Sequence, residues 1–256
     1  MPVRIVISGC CGKMGQAIGR SALADKTFAI GAVLEGDGHE AIGKDYGELL
    51  GDARARGNRI LGDAREAINV GDVVIEFTTP EATMAHLQTA QQLRKPVVIG
   101  TTGFTESQRK MVQEASRVIS VVMSPNMSLG VNLLFELARM AAERLGHSFD
   151  IEIVESHHRH KKDSPSGTAK RLAEVLGQAR GATDSTIPVH AVRAGDVVGD
   201  HTVIFAGPAE RLELTHRAHS RDVFALGALK AARFAIGQRP GLYDMSHVLG
   251  FGESSR

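Results

Sequence analysis

The 256-residue sequence is poor in aromatic residues and in cysteine, which narrows what the protein can be. It has no tryptophan and only two tyrosines, so it is not expected to offer the aromatic platforms on which nucleic-acid bases stack. Its only cysteines are the neighbours Cys10 and Cys11, which excludes a disulfide framework of the secreted kind. With 30 basic and 29 acidic side chains, the chain also lacks the charge excess typical of proteins that bind nucleic acids or membrane surfaces.

Long apolar runs are missing as well. No stretch approaches the length of a transmembrane helix, and the apolar start VRIVISG lacks the basic region and cleavage site of a signal peptide. These features predict a cytoplasmic protein with no membrane partner.

The first 125 residues alternate between strand-like and helix-like segments. The apolar runs are continuous enough to be strands buried on both faces, at 3–8, 28–34, 72–78, 95–100 and 117–123. Helix-like segments lie between them, at 13–25, 63–69, 80–93 and 105–115, while 36–59 is predicted to be mainly loop with a short helix near 46–50. The alternation predicts an α/β fold whose first part is a Rossmann-type doubly wound parallel sheet.

After residue 129 the pattern changes. A helix is predicted at 131–145, followed by the half-exposed strand FDIEIVESHH at 149–158, further strands at 187–195, 201–207 and 210–218, a helix at 222–236, and a strand-like tail, LYDMSHVL. This order predicts a second α+β domain with an open mixed sheet. We place the boundaries at 1–126 with 239–256 for the first domain, and 127–238 for the second.

A glycine-rich turn, Gly9-Cys-Cys-Gly12-Lys-Met-Gly15, follows the first strand and leads into a helix. Glycines at such a turn allow close approach of a pyrophosphate, and the helix amides favour the anion. The spacing departs from the usual G-x-G-x-x-G and is weak by itself, but Glu35 ends the second strand where an acid that binds adenosine ribose is expected. Because Gly36 follows, with no arginine to receive a 2′-phosphate, we expect NADH to be preferred and NADPH to remain possible.

Two more turns lie at predicted strand ends, Glu76-Phe-Thr-Thr-Pro80 and Gly100-Thr-Thr-Gly103. Small hydroxyl residues there suit contacts with a ribose or a carboxamide, although an ordinary helix cap is the alternative for each. Cys10 and Cys11 are interpreted as small turn residues, because neighbouring cysteines are poor partners for an unstrained disulfide.

A run of six basic residues extends from His157 to Lys162 and is followed by Pro165-Ser166-Gly167-Thr168 at a predicted helix start. One interpretation of this run is a solvent-exposed basic face that binds no ligand. Adjacent cations repel, however, and the helix amides form a second place for an anion. The combination predicts a pocket for a small dicarboxylate with histidine or lysine as proton donor. No metal is expected at these histidines, because no carboxylate or thiolate is evident at a ligand spacing.

The run ESHHRHKKDSPSGTA at 155–169 closely resembles the signature of the 4-hydroxy-tetrahydrodipicolinate reductase family, as do VRIVISGCCGKMG, FTTPEATMAHL, VIGTTGF, SPNMSLGVN and FALGALKAARFAIG along the chain. The resemblance implies that His157 and Lys161 are catalytic. It implies substrate contacts at His158, Gly167 and Thr168. The implied cofactor-binding residues are Gly9, Cys10, Cys11, Gly12, Lys13, Met14, Glu35, Gly100, Thr101, Thr102, Ser124, Pro125, Asn126 and Met127.

The same resemblance implies reduction of 4-hydroxy-tetrahydrodipicolinate by NAD(P)H with loss of water, in bacterial lysine and diaminopimelate biosynthesis. It implies a homotetramer assembled through the sheet of the second, substrate-binding domain, and domain closure about hinges near 126–127 and 238–240. Many family members have arginine at the position of Gly36. The glycine departs from that pattern, and the departure agrees with the expected NADH preference. Three alternatives stay open: a dehydrogenase of the homoserine or aspartate type, a non-catalytic NADH-sensing regulator, and a metal hydrolase using the histidines.

Overall fold

The computed structural model describes residues 1–181 and 187–252, and its backbone divides into two compact units. The first unit contains Met1–Met127 together with the chain from Asp222 onward, and the second contains Ser128–Arg221. The last residues of the predicted first domain, 253–256, lie outside the described part of the chain.

The first unit is built on a seven-stranded sheet with the order β11-β6-β5-β4-β1-β2-β3, all of whose neighbouring pairs are parallel. Its strands are β1 (Val3–Ser8), β2 (Phe28–Leu34), β3 (Ile60–Leu61), β4 (Val73–Glu76), β5 (Val97–Ile99), β6 (Ser120–Met123) and β11 (Gly241–Tyr243). The strand order reverses between β1 and β4, and the loops that follow these strands therefore diverge and leave a crevice there.

The helices of this unit start at residues suited to capping. They are α1 (Lys13–Ala24), α2 (Tyr46–Leu50), α3 (Ala64–Val70), α4 (Pro80–Gln92), α5 (Glu106–Ser116), α8 (Asp222–Ile236) and α9 (Met245–Val248). Asp63 and Thr79 accept amide hydrogen bonds at the starts of α3 and α4, and Thr105 forms a capping box with Gln108 at the start of α5. The short α2 lies where the sequence predicted it.

The boundary near helix α8 differs from the predicted one. The predicted boundaries place α8 in the second domain, but its alanine-rich face is buried against α1 and strands β4, β5 and β6 of the first unit. Gly227 allows this approach, because a Cβ there would lie 1.7 Å from the carbonyl oxygen of Met127. Alanine and glycine give a helix without protruding side chains, and such a helix suits a parallel sheet as well as it suits a mixed one.

The secondary structure of the C-terminal segment also differs from the prediction. The predicted strand over LYDMSHVL is a strand only as far as Tyr243, after which Asp244 caps the short helix α9 through a capping box with His247. The alternating pattern therefore ended where a helix-capping residue occurs.

The second unit has a four-stranded sheet with the order β10-β9-β7-β8, in which only the β7–β8 pair is parallel. Its strands are β7 (Asp150–His157), β8 (Val189–Arg193), β9 (Gly199–Ala206) and β10 (Arg211–Ala218). Helices α6 (Leu129–Leu145) and α7 (Gly167–Ala179) pack on the sheet face that carries Ile153, Val203 and Phe205. The described elements of this unit leave the other face uncovered.

The predicted fold class, a Rossmann-type parallel sheet plus an α+β domain with an open mixed sheet, is confirmed. Over the described ranges, no helix combines the length and apolarity needed to cross a lipid bilayer.

Candidate active site

The amides of Gly9, Cys10, Cys11 and Gly12 are hydrogen-bonded within the protein, so the backbone left open to a ligand is the first turn of α1. Gly9 has a φ of 70°, in the left-handed region, and Gly12 is the N-cap of α1 with no side chain to satisfy the first helix amides. Gly15 lets α1 sit directly on the turn, since a Cβ there would lie 2.2 Å from the carbonyl oxygen of Gly9. Free amides at the start of a helix, reached without obstruction, suit a pyrophosphate.

Glu35 is held at this turn by the backbone. Its Oε1 accepts a hydrogen bond from the Cys11 amide at 2.7 Å, and its Oε2 accepts one from the Gly36 amide at 3.2 Å. The side chain of Glu35 is only partly buried, so its remaining acceptor positions face the space in front of the turn. A carboxylate fixed in this way can accept hydrogen bonds from ribose hydroxyls.

A cavity of about 520 Å³ lies over the turn, within the size range of small-ligand sites. It is lined by Ser8, Gly9, Cys11, Gly12, Glu35, Gly36, His39, Phe77, Thr78, Thr79, Ala82 and His86. The cavity thus joins the glycine turn, the predicted ribose acid and the turn after β4. Of the other predicted cofactor residues in the first turn, Cys10 is buried behind it, while Lys13 and Met14 begin α1 outside the lining.

The turns after β5 and β6 lie side by side, because the Ser124 amide donates to the carbonyl of Ile99 at 3.2 Å. Thr101 is buried, and its hydroxyl accepts from the Thr78 amide at 3.1 Å and from the Thr83 hydroxyl at 2.9 Å. The Ser124 hydroxyl donates to the carbonyl of Asn126 at 2.8 Å. These two hydroxyls therefore hold the loops in shape and are engaged within the protein.

The other predicted residues of these two turns differ in exposure. Gly100 accommodates the Phe77 ring, which a Cβ would meet at 2.2 Å, and Met127 is fully buried. Thr102 and Pro125 are exposed, and Asn126 is half-buried.

A buried pair beneath the cavity was missed in the sequence. Glu76, at the end of β4, is completely buried and contacts His86 Nδ1 through Oε1 at 3.0 Å. Burial by itself lowers the pKa of His86, but the hydrogen bond and charge of Glu76 outweigh it, so the pKa of His86 is raised. Since a buried carboxylate needs a partner, the acidic end of an otherwise apolar strand was the signal for a nearby cation.

In the second unit, the basic run begins where a strand ends. His157 is the last residue of β7 and is buried, whereas His158 is half-buried and Arg159 and His160 are exposed. The strand alternation therefore stops at His157 and does not sort the following residues onto two faces. Lys161 is partly buried and forms an ion pair with Asp163 at 2.8 Å.

Glu155 organises the surroundings of His157. It is completely buried and accepts a bidentate pair from Arg193, at 2.9 and 2.8 Å, as well as the Ser166 amide at 3.0 Å. The same carboxylate forms a short hydrogen bond with His157 Nδ1. The charge of the run is thus partly balanced inside the protein by Glu155 and Asp163, which weakens the expectation that only a bound anion offsets it.

The hydrogen bond to Glu155 leaves Nε2 of His157 as the nitrogen that can exchange a proton with a ligand. Gly199 keeps the space beside this atom open, because a Cβ there would lie 3.0 Å from Nε2. Burial, together with the charges of Lys161 and Arg193, lowers the pKa of His157 by more than Glu155 raises it. The imidazole is therefore neutral at neutral pH, and an added anion would favour its protonation.

A second histidine packs on the first. His201 is buried, and its ring meets that of His157 edge to face with centroids 5.1 Å apart. Its Nε2 lies 3.2 Å from the hydroxyl of Ser166, the N-cap of α7. Burial, followed by the charge of His157, lowers the pKa of His201 to about 4. His201 is therefore uncharged at neutral pH and packs against His157 as an uncharged ring.

The predicted substrate residues Gly167 and Thr168 form the first turn of α7, beside this network. The Ser166 hydroxyl accepts from the Ala169 amide at 3.2 Å, while Gly167 is exposed at the helix start. The helix N-terminus, Lys161 and His157 together provide hydrogen-bond donors and positive charge for a carboxylate.

Glu155, Arg193 and His201 were not predicted as site residues from the sequence. Glu155 lies with Ile151, Ile153 and His157 on the buried face of β7. The sequence pattern therefore showed a charged residue at an otherwise apolar position. Its partners come from neighbouring strands: His201 is in register with Glu155, and Arg193 with His157. Only strand pairing brings them together.

Comparison with known families gives matches to both parts of the chain. Residues 3–127 match the model described as "Dihydrodipicolinate reductase, N-terminus", and residues 130–249 match "Dihydrodipicolinate reductase, C-terminus". The two models together cover nearly all of the described chain.

Individual proteins give the same result. The chain is 43% identical to the 4-hydroxy-tetrahydrodipicolinate reductase of Syntrophus aciditrophicus, covering 97% of this chain and 99% of that one. It is 45% identical to that of Magnetococcus marinus, covering 98% and 100%. Among solved structures, the dipicolinate-bound dihydrodipicolinate reductase from Paenisporosarcina sp. TG-14 aligns with a TM-score of 0.79 and 26% identity, covering 95% of this chain and 98% of that one.

Proposed function

The chain belongs to the dihydrodipicolinate reductase family, and from this premise we propose how its residues bind the cofactor and the substrate and move the proton. The activity is that of an NAD(P)H-dependent 4-hydroxy-tetrahydrodipicolinate reductase in lysine biosynthesis. The family also accounts for the resemblance noted in the sequence, and the alternatives of another dehydrogenase, a sensor or a hydrolase are not retained.

The residues of the glycine turn fit a dinucleotide. The uncapped amides in the first turn of α1, the cradle that a Cβ at Gly15 would fill, and the anchored carboxylate of Glu35 are the features that carry this assignment. The turn would hold the pyrophosphate, Glu35 the adenosine ribose, and the loops of Gly100–Thr102 and Ser124–Met127 the nicotinamide end. When bound, NAD(P)H supplies the hydride.

The second unit would bind the dicarboxylate ring and supply the proton. The reaction consumes one hydride and one proton and releases one water. His157 Nε2 is the proposed donor of that proton, with Glu155 holding Nδ1 and so fixing which nitrogen faces the substrate. Lys161, Gly167 and Thr168 would bind a carboxylate, and His158 would contact the ring.

The single observation that carries this division of roles is the buried Glu155–His157 pair, with its open Nε2, beside a helix start and a lysine. The test is a coupled assay in which a separate synthase condenses pyruvate with aspartate semialdehyde to supply the unstable substrate. Oxidation of NADH and NADPH that depends on the condensation product is expected with the wild-type protein and not with His157→Gln. If His157→Gln turns over as fast as wild type, the assignment of the proton donor is wrong.

We propose that NADH is the preferred cofactor. A 2′-phosphate would lie near the Glu35 carboxylate with no arginine at position 36, and the repulsion predicts a kcat/KM at least about tenfold higher with NADH, or about 1.4 kcal/mol. Gly36→Arg should bring the kcat/KM values for NADH and NADPH closer together, because it supplies a cation for the 2′-phosphate. The substitution fits, since a Cβ at Gly36 meets no atom within 4 Å. Steady-state kinetics with both cofactors measure this, and equal efficiencies in the wild type would contradict it.

Binding of dipicolinate, the compound bound by the Paenisporosarcina relative, should raise the pKa of His157. Two added carboxylates favour the imidazolium, whose pKa burial otherwise lowers. An NMR titration of the histidine side chains, with the His157 signal assigned through His157→Gln, measures the shift. The signal of His190, which is exposed and paired with Glu152 at 2.7 Å, is the internal control and should not respond to dipicolinate.

We also propose that four copies associate through the uncovered face of the four-stranded sheet. That face carries Val154, Val192 and Ile204, which the helices of the same unit do not cover. Light scattering should give four times the chain mass of 27.3 kDa for the wild type and a smaller particle for Ile204→Asp. Val70→Asp, at an exposed apolar position of the first unit, is the matched control. A wild-type monomer would refute the proposal.

A further inference from the structure

The two adjacent cysteines have an arrangement that the reductase reaction does not use. The thiol sulfurs of Cys10 and Cys11 lie 4.0 Å apart on the same side of the glycine turn. These two sulfurs and one carboxylate oxygen of Glu35 all lie within 4.8 Å of one another. Within residues 1–181 and 187–252 this is the one group of three such donors that could hold a metal ion.

The spacing suits a tetrahedral metal ion. Two thiolates at about 2.3 Å from one zinc ion are separated by about 3.8 Å, so the observed pair needs to move little to bind it. Soft thiolate ligands favour Zn²⁺ and related ions over Mg²⁺ or Ca²⁺. Cys11 and Glu35 both line the cavity over the turn, which gives an ion a route to the donors and leaves a fourth position for water.

We propose that Cys10, Cys11 and Glu35 form a binding site for a soft divalent cation such as Zn²⁺ or Cd²⁺, and that the cation and the dinucleotide exclude each other. On binding, each thiol releases its proton to solvent, two metal–sulfur bonds form, and a Glu35 oxygen becomes the third ligand. Exclusion rests on the proposed cofactor site, because Glu35 cannot bind the metal and the ribose at once and because an ion at the turn occupies the cofactor's space.

Among possible metal ligands, the sequence draws attention only to the histidines of the basic run, where no metal is expected. The cysteines were interpreted as small turn residues, since their spacing in the chain does not reveal that their sulfurs face each other. It is the fold of the turn that brings them together and adds an acid from the end of β2.

Cadmium titration of the reduced protein, kept in a phosphine reductant and without substrate, tests the site. The ultraviolet charge-transfer band of a cadmium thiolate reports on this position alone, because the chain has no other cysteine. We expect the band to saturate at one ion per chain. Cys11→Ser should weaken cadmium binding at least about tenfold, the lower bound seen even for groups that only support a ligand.

Glu35→Gln should keep the band and weaken the affinity, which separates the role of the carboxylate from that of the thiols. Glu35→Gln also tests the site if the Cys11→Ser variant does not fold. His190→Ala, which removes an exposed histidine of the other unit, is the control for adventitious surface binding and should leave the titration unchanged.

Exclusion is measured by the fluorescence of bound NADH. Zn²⁺ should raise the apparent dissociation constant of NADH in the wild type and have no such effect on the Cys10→Ser/Cys11→Ser double variant. The proposal is overturned if no thiolate band appears at one equivalent of cadmium, or if Zn²⁺ leaves NADH binding unchanged. Because no substrate is present, neither result bears on whether the protein reduces its substrate, and failure of the coupled assay would leave the metal titration standing.

Discussion

Replacing Lys161 by alanine is expected to lower kcat/KM by about 10- to 10²-fold, because a charge-assisted hydrogen bond to a substrate carboxylate, worth about 1.5–3 kcal/mol, is lost. Lys161 is partly buried, lies four residues after His157, and is held by Asp163 at 2.8 Å. Its loss removes a cation from the carboxylate site in the second unit, while the glycine turn of the first unit is unaltered. The dissociation constant of NADH, measured by fluorescence, should therefore remain that of the wild type.

The neighbouring Lys162→Ala variant is the matched control. Lys162 carries the same charge one position along the chain but is exposed, so its removal should cost far less activity. If Lys161→Ala instead loses NADH binding, or if the two variants are equally impaired, the role assigned to Lys161 is wrong.

Glu155→Gln is expected to cost about 3 kcal/mol of unfolding free energy, because it leaves Arg193 without its counterion. The side chain of Arg193 is 19% exposed and makes a bidentate contact to this carboxylate, so water cannot replace the lost charge at little cost. Urea denaturation at a fixed protein concentration measures the change.

The same variant should alter the pH profile, which a purely structural role would not do. Glu155 raises the pKa of His157, so its loss lowers that pKa further. A general acid works only below its pKa, and the alkaline limb of kcat/KM should therefore move to lower pH.

Glu152→Gln on the same strand provides the comparison for Glu155. Glu152 pairs with His190 at 2.7 Å, but both side chains are exposed, and such pairs are worth about 0 to 1 kcal/mol. Equal effects of the two substitutions on stability, with an unmoved pH profile for Glu155→Gln, would contradict the positioning role.

The parallel sheet could be predicted because its strands are buried on both faces and read as continuous apolar runs. The same is true of α4 and α5, whose starts at Thr79 and Thr105 carry capping signals. The two-residue strand β3 was not predicted, since so short a segment has no periodicity to detect. Helix α8 was predicted as a helix but assigned to the wrong neighbours, because an alanine-rich face does not specify which sheet it packs on.

The residues proposed for the site divide in a similar way. Local motifs indicated the glycine turn, the basic run and the start of α7. What remained hidden were the contacts between distant segments, such as Arg193 with Glu155 and His86 with Glu76. The internal hydrogen bonds of the Thr101 and Ser124 hydroxyls, both in turns predicted to contact the cofactor, could likewise not be read from the sequence.

The discontinuity of the first unit has a consequence for synthesis of the protein on the ribosome. The strands β4, β5 and β6 emerge early, but α8, which buries them, and β11, which pairs with β6, are translated only after the whole of Ser128–Arg221. The nascent first unit must therefore wait with apolar surface uncovered while the second unit, whose segment is continuous, can complete its own fold. The unit whose synthesis begins first is therefore the one whose fold is completed last.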